Sequence, residues 1–175
     1  MSLYEQLARK RDSIVERWID SIARSYPEGA ATLFQRGRDR FRNPMVHTIA
    51  QGARELFGAL LDGEDDARMG AILDPILRLR AVQEVSPAQA VGFVFEVKRI
   101  AREALEGEGA DAREASAEWA AFDAKVDQLA LTAFGVYTKC REEIFEIRIR
   151  EMRKQAFPHV LERMEEKKRK DVSGS

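Results

Sequence analysis

The chain has one cysteine, Cys140, so no disulfide can form within it, and that usage fits a reducing compartment. It has two histidines, His47 and His159, which share no ligand spacing with each other or with Cys140; a structural zinc site is thereby excluded. No Glu-x-x-His pair occurs, which removes the di-iron bundle signature. No glycine-rich phosphate loop is present, because GEGAD at residues 107–111 lacks both the lysine and the preceding strand that such loops need. Long hydrophobic runs are missing too: nothing approaches the roughly 20 apolar residues of a membrane span, and MSLYEQLARKRDS has no apolar core of signal-peptide length. The expected compartment is the cytoplasm. Charge of one sign is not in excess; 29 Lys and Arg against 30 Asp and Glu give a net charge of -1, which recruits neither nucleic acid nor an anionic membrane. Only 5 prolines and 11 glycines interrupt 175 residues, leaving room for long helices.

What is present is helical periodicity. Leu3, Leu7, Ile14, Val15, Trp18, Ile19 and Ile22 fall largely on the three-and-four spacing of one amphipathic helix, stopped by Tyr26-Pro27. A short piece anchored by Leu33 and Phe34 follows. QRGRDRFRNP then holds Arg36, Arg38, Arg40 and Arg42, and Asn43-Pro44 reads as an N-cap with proline at the first helical position. The helix it opens uses Val46, Ile49, Ala53, Leu56, Phe57 and Leu60 as its buried stripe and ends near Asp62-Gly63. After an acidic turn comes a helix with Met69, Ile72, Leu73, Ile76, Leu77 and Leu79, bent by Pro75.

The stretch RAVQEVSPAQAVGFVF, residues 80–95, carries the clearest local signal. Ser86, Pro87 and Gln89 form a capping box: a serine cap, a proline at N1, and a glutamine at N3 that reaches back to the cap. VGFVF alone is compatible with a buried strand. The cap before it and Val97, Ile100, Ala101 and Leu105 after it predict one continuous helix, its first half the most buried in the molecule. GEGAD breaks the chain, and Asp111 with Glu114 suggests another cap. From there to about Phe157 no proline occurs, and Trp119, Phe122, Val126, Leu129, Ala133, Val136, Cys140, Ile144 and Ile147 make a stripe. A helix of about 40 residues exceeds what a domain of this size needs, so its far half should project or pair with another chain. The tail at 158–175 is expected to be a short, frayed, basic helix. The fold class is therefore all-α: one domain over 1–157 of about six helices, with a long projecting C-terminal helix.

Reactive chemistry has little footing. Cys140 sits beside Lys139 and Arg141, cations that lower a thiol pKa, yet it also falls on the apolar stripe, where cysteine acts as a small hydrophobe. The arginines at 36–42, with Arg78 and Arg80, suggest an anion-binding or acidic-partner surface; the competing reading is solvated pairs with nearby Glu and Asp. His47 is a candidate haem ligand only if it faces a pocket; otherwise it is a surface histidine. REEIFEIRIREMRK alternates charge at helical spacing, which suits an exposed helix or an interhelical seam.

Three pieces together resemble a known family: DRFRNP before a helix, LRLRAVQEVSPAQAVGFVFEVKRIARE, and VYTKCREEIFEIRIREMRK. They are similar to the N-terminal domain of RsbRD-type co-antagonist proteins of bacteria, from ERWIDSIARSYP to the long terminal helix. The matching positions are Arg40, Phe41, Asn43, Pro44, Arg80, Ala81, Gln83, Ser86, Pro87, Ala90, Cys140, Arg141 and Glu142. The resemblance implies an all-helical, globin-like sensory or regulatory domain with no catalytic residues and no cofactor. It also implies a homodimer and a protein partner in a signalling or redox pathway. Relatives of the RsbR type pass a signal through a linker helix to a STAS domain; that domain mixes strand and helix, which the stretch after Phe157 lacks, so the input half alone is expected. Arg40, Asn43, Arg78, Arg80, Gln83, Cys140 and Arg141 become the candidate ligand- or partner-binding residues. A second reading is a sensor that takes haem or an apolar small molecule beside residues 91–95. A further expectation is that Arg80 and Gln83 make fixed polar contacts holding the turn before that helix, to the Arg40–Asn43 loop among other places.

Overall fold

The computed structural model describes residues 1–26, 44–83, 85–106 and 112–173. Seven helices and no strand occur among these residues: α1 (Leu3–Arg9), α2 (Arg11–Arg24), α3 (Pro44–Asp62), α4 (Asp66–Val82), α5 (Pro87–Val91), α6 (Phe93–Ala104) and α7 (Ala112–Ser173). The fold is all-α. Arg36, Arg38, Arg40, Arg42 and Asn43, the anchors Leu33 and Phe34, and the GEGAD segment with Asp111 lie outside the described residues.

The chain divides into two compact units, Met1–Cys140 and Arg141–Ser175. In the first, α3 packs on α4, α2 on α6 and α2 on α3. The apolar stripes of the sequence become its core: Ile14, Trp18, Ile22, Ile49, Leu56, Phe57, Leu60, Leu73, Val97 and Phe122 are all buried. Each such side chain removed from water contributes about 1.5–3 kcal/mol before conformational entropy is subtracted. Close packing is visible where α3 meets α4. A Cβ added to Gly52 would fall 2.6 Å from Ile76 Cδ1, so any larger residue there would have to push the end of that side chain aside.

Local signals set the ends of the helices. Ser2 and Glu5 form a capping box at α1. α3 stops at Asp62, and Gly63 takes φ 73, the left-handed value that closes a helix; the N–H groups of Gly63 and Glu64 both donate to Ala59 O, at 3.0 Å. Asp65 then caps α4 by accepting from the Arg68 N–H at 2.8 Å.

Three element boundaries differ from the sequence reading. The first helix is divided at Lys10, whose φ of -96 and ψ of 7 interrupt the repeat. The helix expected over residues 87–105 is two: α5 ends at Gly92 and α6 begins at Phe93. The terminal helix continues through Pro158 to Ser173 instead of ending before the proline; Pro75 likewise lies inside α4. Proline inside a helix costs about 3 kcal/mol through one lost hydrogen bond and a clash with the preceding turn.

Candidate functional site

The Ser86 turn is exposed at Ser86–Gln89 and leads into the buried Ala90 and Val91. Its cap is built as the sequence implies: Ser86 Oγ accepts from the Gln89 N–H at 3.3 Å, and Gln89 Oε1 accepts from the Ser86 N–H at 3.1 Å. Proline at N1 fixes the first φ, and the five-residue α5 follows. The helix is interrupted at Gly92, which keeps helical dihedrals (φ -53, ψ -28), and the Phe95 N–H donates to Gly92 O three residues back at 3.2 Å. A Cβ at Gly92 would lie 2.8 Å from Ala88 O, a distance no real side chain occupies.

A break in a helix frees carbonyls that would otherwise accept from the next turn. Side chains from elsewhere meet two of the carbonyls in this region. Arg80 Nη1 donates to Gln89 O at 2.9 Å, and Trp18 Nε1 donates to Phe93 O at 2.8 Å. A third contact holds the approach to the turn, where the Tyr137 hydroxyl of α7 donates to Val85 O at 2.6 Å.

Arg80 is the most unusual residue of this corner. It is 2% exposed, and its second arm, Nη2, donates to Ser25 Oγ at 2.6 Å. Its guanidinium carbon stands 4.6 Å from the centre of the Tyr26 ring and 5.0 Å from that of Phe93. Among the described residues no carboxylate pairs with it. Burial pulls the Arg80 guanidinium below its ordinary value and pushes the Tyr26 hydroxyl above its own; the attraction between the two opposes both shifts. A buried cation without a carboxylate forfeits several kcal/mol of hydration. Two charged hydrogen bonds at about 1.5–3 kcal/mol each and two ring contacts at about 0.5–2 kcal/mol each are of the same size. These contacts offset that loss, while Arg80 Nε is buried without a hydrogen-bond partner among the described residues.

On the other side of α5 lies an apolar groove of about 930 Å³, walled by Pro87, Ala88 and Val91 of α5, Phe95 of α6, and Leu131 and Phe134 of α7. Phe95, Leu131 and Phe134 are 47%, 67% and 52% exposed. The expectation that the 91–95 run is buried all round therefore fails at Phe95. The cover on that side stops short, and Lys98 Nζ approaches the Phe95 ring at 5.7 Å while pairing with Asp127 at 2.6 Å.

The sequence candidates are distributed unevenly. Arg80 is fixed as expected, although its partners are Gln89, Ser25 and two rings; the Arg40–Asn43 loop lies outside the described residues. Gln83 is half-buried at the C-cap of α4, where its N–H donates to Arg80 O at 3.1 Å. Arg78 is exposed and pairs with Asp74 at 2.7 Å, one helical turn away. Cys140 is 2% exposed on the buried stripe of α7, and Arg141 is half-buried. His47 is exposed on α3 and is not part of the groove wall, so its position lends the haem reading no support. Among the described residues, no group of three or more His, Cys, Asp or Glu side chains is placed to hold a metal ion. No helix among them is long and apolar enough to cross a membrane.

Tyr137 and the exposed Leu131 and Phe134, which help to build this corner and its groove, carry no sequence signal of a site. For Tyr137 the sequence shows only its place on the stripe, four residues after Ala133 and three before Cys140.

No curated protein matches the chain, and no solved structure does. The model of one family, described as the RsbT co-antagonist protein rsbRD N-terminal domain, matches residues 12–152. That span runs from the start of α2 through the exposed apolar part of α7 and covers most of the chain, which belongs to this family of stress-signalling regulatory domains.

Proposed function

We propose that this chain is a non-catalytic input module of bacterial stress signalling. It acts by protein–protein contact and dimerises through the C-terminal part of α7. The observation that carries the reading is the second unit, Arg141–Ser175, helical as far as Ser173, in which Phe145, Ile147 and Met152 are 63%, 49% and 58% exposed. Phe145 and Met152 stand seven residues apart and share a face, and a second helix is the ordinary cover for such a stripe. Charges of both signs alternate around them: Arg150 lies 3.8 Å from Glu146 one turn back. That interleaving suits a like surface better than an acidic or basic partner. Sedimentation or light scattering at tens of micromolar tests it. A dimer that Phe145→Ser with Met152→Ser converts to a folded monomer supports the reading; a wild-type monomer removes the dimer.

The groove beside α5 favours a second reading, a sensor for an apolar small molecule. Its volume of about 930 Å³ lies in the range of ligand pockets, and its walls are almost wholly apolar. Native mass spectrometry distinguishes the two. A dimer at apo mass favours the interaction module, whereas an added mass kept natively and lost on denaturation favours the sensor.

A further inference from the structure

Helix α5 has five residues, too few to hold itself in water. Its place is set from outside. Arg80 of α4 grips Gln89 O at 2.9 Å, and Tyr137 of α7 grips Val85 O at 2.6 Å, just ahead of the cap. Both gripping side chains are buried, at 2% and 1% exposure. At its far end α5 meets α6 through Gly92, a point with no side chain and no room for one. A short rigid piece with a glycine at one end and two side-chain ties is the build of a hinged element. That piece also supplies one wall of the apolar groove, with Pro87, Ala88 and Val91, facing Leu131 and Phe134 of α7.

We propose that α5 is a movable wall of the groove and that Arg80 is the latch that seats it. Arg80 suits a latch because no carboxylate among the described residues anchors it. Leaving its site costs hydrogen bonds and ring contacts but returns hydration to the cation. Ser25 at the end of α2 shares the same guanidinium at 2.6 Å, so the latch ties α5 to α2 as well as to α4. Whatever occupies the groove and needs α5 in place tightens the latch, and seating of the latch raises that occupant's affinity by the same factor. The hinge stands apart from the dimer reading, since it lies within Met1–Cys140.

Hydrogen–deuterium exchange on the full chain tests the proposal. Arg80→Met is expected to speed exchange of amides 88–95 by about tenfold to hundredfold, the loss of one or two charged hydrogen bonds, while α3 amides keep wild-type protection. Arg80→Lys keeps the charge but not the fork and should fall between the two. Tyr137→Phe removes the other tie and should give a smaller effect over the same residues. Acceleration of 88–95 and α3 by one common factor would make Arg80 a plain core residue and overturn the latch. Unchanged exchange at 88–95 would overturn it equally. If Arg80→Met does not fold, Arg80→Lys and Tyr137→Phe carry the decision: an effect confined to 88–95 supports the hinge, and a uniform or absent effect refutes it.

Discussion

Up to Cys140, helix α7 hides one face completely: Phe122, Val126, Leu129, Ala133, Tyr137 and Cys140 are all at most 2% exposed. Beyond it, among the described residues, Ile144 and Ile149 are half-buried, and Phe145, Ile147 and Met152 lie 49–63% open. The apolar spacing barely changes between the two stretches, since Ile144 and Ile147 carry the stripe onward. The difference is in what stands opposite. The first stretch meets other helices: Tyr137 reaches Val85, Asp123 pairs with Arg102 at 2.6 Å, and Gln128 reaches Asp66 at 2.9 Å. An apolar stripe shows that a helix has a face to cover; it does not say with what.

The comparison breaks most sharply by truncation. Phe122→Ala, which also removes the edge-on contact with Trp119 at 5.8 Å, should cost about 3–5 kcal/mol in denaturant unfolding. Phe145→Ala at a concentration that keeps the chain monomeric should change stability by less than about 0.5 kcal/mol. A comparable loss at both positions would mean that the second stretch is covered within one chain.

Tyr137→Phe is next in size. It leaves the Val85 carbonyl without the phenol and should cost about 1–2 kcal/mol, with the fold otherwise kept. Gly135, two residues earlier on the open side, should do the opposite. Nothing lies within 4 Å of a Cβ placed there, so Gly135→Ala should stabilise by about 0.5–1 kcal/mol through helix propensity alone. A loss at Gly135→Ala would show that a second surface approaches α7 closely at this turn.

The smallest effect concerns acid stability, outside α7. Hydrogen bonding from Arg99 at 2.6 Å holds the Glu103 carboxyl below the usual carboxylate range, with Arg17 of α2 as a further partner. A depressed folded pKa contributes stability above the ordinary glutamate value of about 4.3, lost as pH falls through the folded pKa. The melting temperature of wild type and Glu103→Gln should therefore differ slightly at pH 6 and converge below about pH 4. A gap that persists at low pH would mean that Glu103 acts through packing.

Much of the fold is legible residue by residue. Val46, Ile49, Ala53, Leu56, Phe57 and Leu60 are all buried because a helix with one apolar face has only one face to bury. The Ser86–Gln89 box formed because it is closed within four residues and needs no neighbour. Cys140 went inside because its spacing put it on the stripe. Arg80 was legible in the same way, three residues after Leu77 and four after Ile76, but its charge argued for the surface. Its burial depended on free carbonyls and rings that only the folded chain brings to it. The break at Gly92 was hidden for a related reason. Glycine in an apolar run is tolerated by a helix, and only the approach of Ala88 O makes it necessary.

By itself the sequence determined the class of fold, the faces of its helices, the Ser86 cap, and membership in a family of signalling domains. These rest on local spacing and on residues a few positions apart. The tertiary structure decided that α5 and α6 are two helices, that Arg80 lies inside among Ser25, Tyr26, Gln89 and Phe93, that a groove opens at Phe95, and that Phe145, Ile147 and Met152 of α7 are exposed. Those outcomes depend on pairs of surfaces far apart in the chain. Burial is a property of such a pair, and no single stretch of sequence holds both members.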